Sequence, residues 1–173
     1  MDIQNGHLET GEEYFLPAGE EWDLMIAHPP CTYLSVSGAR WLYHPDDANL
    51  PIEQRREHPH HIGRRKLKAE AEQFFLEFTK TKIKCWAIEN PVGCMNTEYR
   101  KPDQIVQPFW FGDSASKKTC LWLHNLPLLI PTKMVDEGPR VVLSSGRSLP
   151  KWYSDSFNTK ISTEERRRLR SKT

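Results

Sequence analysis

At 173 residues the chain is long enough for one domain with a real core and too short for two comfortable ones, so a single domain over residues 1–173 is expected. Hydrophobic content of 38% and charged content of 27% suit a soluble globular protein, and thirteen prolines imply a generous share of loop. The net charge of +1 hides an asymmetry: residues 1–50 hold nine acids and one base, Arg40, so the rest is basic and points to a polyanion partner. No apolar run approaches the roughly 20 residues that cross a bilayer, and the polar, acidic start is not a signal peptide, so a cytoplasmic protein without a membrane partner is expected.

Residues 1–21 read as an irregular lead-in, with Gly6, Gly11, Pro17 and Gly19 among scattered acids and only Tyr14, Phe15 and Leu16 resembling a strand. The first strand is expected over Trp22 to Ala27. It stops at Pro29 and Pro30, which have no N–H to give a ladder, and leaves Cys31 in a loop at the strand's carboxyl end. In open α/β sheets that edge is where ligands bind. Ala39 to Tyr43 is helical at best, and His44 to Gly63 reads as a long loop with one helical turn near Ile52 to Arg56.

Arg64 to Lys80 carries the clearest helical period, with Leu67, Ala71, Phe74, Phe75 and Phe78 on one stripe. Lys82 to Ile88 then reads as a buried strand ending in Glu89, Asn90 and Pro91. A strand, a long crossover with a helix and a second strand make a parallel pair, which places both strand ends on one edge of a sheet. Ile105 to Phe111 and Thr119 to His124 resemble a hairpin around a Gly- and Ser-containing link. Residues 125–173 form a loop-rich basic tail in which 133–160 show no convincing period. Ser162 and Glu165 make a capping box for a short helix that carries Arg166, Arg167 and Arg168.

Cys31, Cys85, Cys94 and Cys120 contain no Cys-x-x-Cys pair and are read as reduced thiols. His44, His58, His60 and His61 lack a spaced carboxylate or thiol to complete a metal site, so they read as a solvated loop and no metal is expected.

A thiol from Pro29-Pro30-Cys31 and a carboxylate from Glu89-Asn90-Pro91 on one sheet edge have a chemical use. A cysteine thiolate adds to C6 of a cytosine ring while a carboxylic acid protonates N3, and C5 becomes nucleophilic. In these residues the chain resembles the DNA (cytosine-5) methyltransferases, particularly the short forms carried by phages. The family's Pro-Pro-Cys-Gln motif is similar to Pro29-Pro30-Cys31-Thr32 with Leu34, Ser35 and Gly38, Thr32 replacing the Gln. Its Glu-Asn-Val resembles Glu89-Asn90-Pro91-Val92, and its aromatic-Gly turn with a following basic strand resembles Phe111 to Leu123. The likeness covers roughly residues 22–124, in order.

The resemblance implies an α/β fold, an incomplete Rossmann-like methyltransferase sheet, mixed parallel with a C-terminal hairpin. It implies Cys31 as nucleophile, Glu89 as the N3 acid and Asn90 as a support of the loop. Asp23, His28, Pro29 and Pro30 would line S-adenosylmethionine. Ser35, Lys117 or Lys118, and the Arg166, Arg167 and Arg168 tip would meet DNA. The family's Gly-rich cofactor turn is not found upstream of Cys31, and its closing helix would lie beyond Thr173. A non-catalytic DNA- or protein-binding relative is therefore the other expectation. The amino-methyltransferases share the Pro-Pro pair, but His28 and Cys31 replace the residues that flank it there, and Glu89-Asn90 has no role in that chemistry.

Overall fold

The structure, a computed structural model, describes residues 5–7, 13–15, 22–156, 162, 164 and 165. It is a mixed α/β arrangement. In chain order the strands are β1 (Asn5–His7), β2 (Glu13–Phe15), β3 (Leu24–Ala27), β4 (Cys85–Pro91), β5 (Gln104–Val106), β6 (Thr119–His124), β7 (Arg140–Val142) and β8 (Ser148–Pro150). The α-helices are α1 (Arg64–Thr79), α2 (Met95–Glu98) and α3 (Lys151–Asp155). A four-stranded sheet runs β3-β4-β6-β5, and β1-β2 and β7-β8 form separate two-stranded antiparallel ribbons.

The crossover through α1 makes β3 and β4 parallel, with Leu24, Met25, Ile26 and Ala27 opposite Cys85, Trp86, Ala87 and Ile88. Both strands stop where a proline removes the ladder N–H, β3 before Pro29 and β4 at Pro91. Alternation then sorts β4, so that Trp86, Ile88 and Asn90 are buried on one face.

Residue contacts divide the chain into two compact units. The first holds residues 1–104 and 120–128. Its core is Ala27, Leu34, Phe75, Trp86, Ile88, Met95, Cys120 and Trp122, with Phe75 edge-on to Trp122 at 5.1 Å between ring centres. Helix α1 reaches this core through Phe75, Ala71, Leu76 and Phe78, whereas Leu67 at the head of the expected stripe is 40% exposed.

The second unit holds residues 105–119 and 129–173. Here the strand expected over Ile105 to Phe111 is cut to β5, because Pro108 cannot donate to a ladder and instead opens a 3-10 turn, Pro108–Trp110. Phe111 makes an isolated bridge with Lys133, and Ser114 Oγ donates to the Asp136 carbonyl at 3.0 Å. The hairpin of the basic tail is β7-β8, in a stretch without readable period. Lys151 N–H, at the head of α3, donates to Pro139 O at 2.8 Å. Asn5–His7, expected to be irregular, pairs with Glu13–Phe15 as a short ribbon.

Candidate functional site

One rank beyond the last paired residues of β3 and β4, the two strand ends are tied by their own side chains. His28 Nδ1 lies 3.0 Å from Glu89 Oε2. One residue further, Asn90 Nδ2 donates to the Pro29 carbonyl at 2.7 Å. Asn90 is 1% exposed, and its Oδ1 has no hydrogen-bond partner among the described residues. A buried amide whose donor is engaged and whose acceptor is not carries a desolvation cost. That cost sits directly behind the Pro29-Pro30-Cys31 loop.

The loop turns at once. The Cys31 carbonyl accepts from Leu34 N at 3.1 Å and Ser35 N at 3.0 Å, a single helical turn that leaves the Cys31 side chain exposed and drives Leu34 into the core. Burying that leucine contributes about 2 kcal/mol toward holding the loop. The segment after β4 closes on it: Cys94 N–H donates to Leu34 O at 2.8 Å, Val36 N–H to Val92 O at 3.3 Å, and Ser35 bridges Gly93. Gly93 is required here, since a Cβ on it would lie 2.1 Å from the Leu34 carbonyl oxygen.

A cation flanks the same turn. Arg64, the first residue of α1, donates from Nη2 to the Thr32 carbonyl at 3.0 Å, and its guanidinium stacks over Tyr33 at 4.9 Å. Gly38 leaves room for it, because a Cβ there would come within 2.6 Å of Nη2. The four thiols differ sharply in surroundings. Cys31 is exposed, burial pushes the Cys94 thiol up to about 11, and burial also raises Cys120, with the charge of Glu89 adding to the effect. A free thiolate is the nucleophile, so exposure singles out Cys31.

Of the residues expected to act, Cys31, Glu89 and Asn90 share the β3-β4 edge, as do His28, Pro29, Pro30 and Ser35. His28 and Glu89 stand three residues or fewer from the Cys31 turn or its partner loop, and the chain from His28 to Cys31 spans at most about 11 Å. Ser35 Oγ is 3.1 Å from Ser37 Oγ. Asp23 is exposed at the other end of β3, about 16 Å of extended chain from His28, and does not join Pro29 and Pro30. Lys117 and Lys118 belong to the second unit, and Arg166, Arg167 and Arg168 lie outside the described residues. The Ser162 cap of that segment is in place, with Glu165 N–H donating to Ser162 Oγ at 3.0 Å.

Three contributors escaped the sequence reading: the His28 contact to Glu89, the Arg64 clamp and the tight place of Gly93. The glycine two residues after Pro91 was the only visible signal of the last. The histidine loop also differs from its solvated reading. His58 is 6% exposed, and its ring packs against Trp41 at 5.1 Å and His61 at 5.0 Å. In the same loop, Asp47 is buried and held by the Arg56 side chain and backbone N–H, which bring its carboxyl down to about 2. Among the described residues no group of three or more His, Cys, Asp or Glu is placed to hold a metal ion. None of their helices is long and apolar enough to cross a membrane.

Compared with family models, with curated proteins and with solved structures, the chain matches none.

Proposed function

We propose that the chain is a DNA (cytosine-5) methyltransferase-like protein whose first unit carries an incomplete Rossmann-like catalytic edge. The observation that carries this reading is the parallel register of β3 and β4, which sets the exposed Cys31 turn and the Glu89 carboxyl at neighbouring strand ends, joined by Asn90 to Pro29. The thiol and the acid are the two groups that addition to a cytosine ring needs.

The Cys31 thiolate forms the Sγ–C6 bond as the ring's C5–C6 π pair shifts and N3 takes a proton from Glu89. C5 is then electron-rich. A base inside a duplex is out of reach of such a thiol, so the cytosine is taken up flipped or from a single strand. Asn90 holds the Pro29 carbonyl, and Arg64 holds that of Thr32, so the turn between them keeps its shape while the sulfur is attached.

S-adenosylmethionine is the donor that the resemblance implies, and it would supply the methyl group to C5. The described residues do not fit it well: Asp23 lies at the far end of β3, and His28 is engaged by Glu89. The displacement of Asp23 is also the observation that favours a second reading, a relative that binds DNA or protein through this edge without transferring a methyl group.

Tritium release separates the two without any cofactor. Mixed-sequence DNA with tritium at cytosine C5 exchanges its label with water each time the sulfur adds, C5 takes a solvent proton, and tritium leaves as the sulfur departs. Release by the wild-type chain, lost in Cys31→Ser, supports addition; no Cys31-dependent release refutes it and leaves the binding module. Incubation with tritiated S-adenosylmethionine then shows whether methyl transfer follows.

A further inference from the structure

The lysines that the resemblance turns toward DNA, Lys117 and Lys118, belong to the second unit, but the first unit has cations of its own. Among the described residues Arg56, Arg100 and Arg140 pair with Asp47, Asp103 and Glu137, whereas no carboxylate lies within ion-pair distance of Arg40, Arg55, Arg64 or Arg65. Each of these four guanidiniums lies over a ring instead. Arg40 stands over Trp41 at 4.6 Å, Arg64 over Tyr33 at 4.9 Å, and Arg65 and Arg55 both over Tyr43, at 5.3 Å and 5.7 Å. Arg55 is also held by neutral carbonyls, donating from Nε to Leu50 O at 2.7 Å and from Nη2 to Ala48 O at 2.9 Å. The acids of the same loop are engaged elsewhere: Asp47 holds Arg56, Glu57 accepts from Gly63 N–H at 2.9 Å, and Asp46 lies 3.6 Å from His44 Nδ1. Of the four, only Glu53 has no partner among the described residues.

Rings and carbonyls fix where a guanidinium stands without neutralising it, so these arginines keep their attraction for an anion. Tyr33, Trp41 and Tyr43 are half-buried, while Arg40 and Arg65 are exposed. The row starts at the reactive turn. Tyr33 is two residues from Cys31, Arg64 ties to the Thr32 carbonyl, and Arg65 follows Arg64 and shares the Tyr43 ring with Arg55. Arg40 joins it through Gly38, where a Cβ would come within 2.6 Å of Arg64 Nη2. We propose that Arg40, Arg55 and Arg65 hold the phosphates of a single DNA strand whose cytosine meets Cys31. Arg64 anchors the row to the turn. Cations interleaved with aromatic rings, beside a thiol that only an unstacked base can reach, suit a single strand. The choice of DNA as the polyanion rests on the cytosine-addition reading above; the uncompensated cations do not.

The test is fluorescence anisotropy with a fluorescein-labelled, mixed-sequence single strand of about 12 nucleotides, over about 0.05 to 0.2 M sodium chloride. It compares wild type, Arg40→Gln, Arg65→Gln, the double variant and Arg147→Gln. Arg147 is exposed between β7 and β8 in the second unit, also without a carboxylate partner among the described residues, and serves as the control. Each phosphate neutralised on a single strand contributes about 0.7 to the slope of log affinity against log salt, so Arg40→Gln and Arg65→Gln should each make that slope shallower by about 0.7. Carried from 1 M down to about 0.15 M salt, this is about fourfold weaker binding for each and about fourteenfold for the pair. Arg147→Gln is expected to bind as wild type. A slope that either Arg40→Gln or Arg65→Gln leaves unchanged, or that Arg147→Gln lowers equally, would overturn the proposal, as would tighter binding of the duplex of the same sequence. Any of these results beside intact Cys31-dependent tritium release leaves the addition reading standing. The expected slopes without that release refute addition and leave the surface as that of a binding module.

Discussion

Gly93→Ala probes the lock between the two motif loops more directly than any change to the reactive groups. A Cβ at this position would meet Leu34 O at 2.1 Å, Leu34 C at 2.9 Å and Ser35 Cα at 3.1 Å, all backbone atoms. Ordinary contact begins at 3.4 Å, so the Leu34 carbonyl must retreat by about 1.3 Å, and the Cys94 N–H bond to that carbonyl is lost. The bond is worth about 1 kcal/mol, and overpacking a filled site costs about 1–3 kcal/mol. The sum, about 2–4 kcal/mol, lowers the melting temperature by roughly 6–12 °C. Leu34 sits three residues from Cys31, so tritium release should drop with it even below the melting transition. Gly146→Ala is the control: its φ of 78° strains an alanine, but no atom lies within 4 Å, so about 1 kcal/mol is expected. Calorimetry of both variants checks the difference. A Gly93→Ala protein within about 0.5 kcal/mol of wild type would show that the loops are not locked as described.

Arg64→Ala removes the bond to the Thr32 carbonyl and the stacking on Tyr33, and is expected to cost about 1–2 kcal/mol, read by chemical denaturation, while Arg64→Lys recovers only part. Thiol mapping by mass spectrometry after brief iodoacetamide treatment should find Cys31 modified first, with Cys94 and Cys120 protected by burial and their raised thiols. Acid should loosen the His44–Gly63 loop in two stages. Burial first, then the neighbouring imidazoles, depress His58, so its contribution is present above the free imidazole range near ~6.5 and is lost as pH falls through it. Asp47, held at about 2, contributes above the free carboxyl range near ~3.9 and loses this as pH falls toward 2. Exchange protection of the His44 amide, which donates to Arg56 O, follows both stages, and Asp47→Asn removes the second alone.

The parts of the fold that were legible are those with a long period or a hard stop. Helix α1 spans sixteen residues, and Pro29 and Pro91 end their strands by the missing N–H, so the parallel pair and the shared edge of Cys31 and Glu89 could be read. Strands β7 and β8 hold three residues each, too few for alternation to stand out, and α2 has four. The overlong strand at Ile105 to Phe111 came from weighing its apolar residues above Pro108. At the site, residue types were visible and pairings were not. The His28-Glu89 contact depends on register one rank past the ladder, and Arg64 faces Thr32 only once α1 is packed. His58 was misjudged because its polar neighbours concealed the Trp41 ring that covers it.

The ties that define the site are also the most distant in sequence. His28 to Glu89 and Pro29 to Asn90 each join residues 61 apart. Closing a loop of that length costs entropy before any contact repays it, whereas α1, in the middle of the crossover, can form from local bonds alone. Helix first and edge last is the order this topology imposes during folding. Until β4 docks, the Cys31 loop lacks the Asn90 tie to Pro29, so on the proposed reading Cys31-dependent tritium release should appear late, as a step in refolding time rather than a gradual rise.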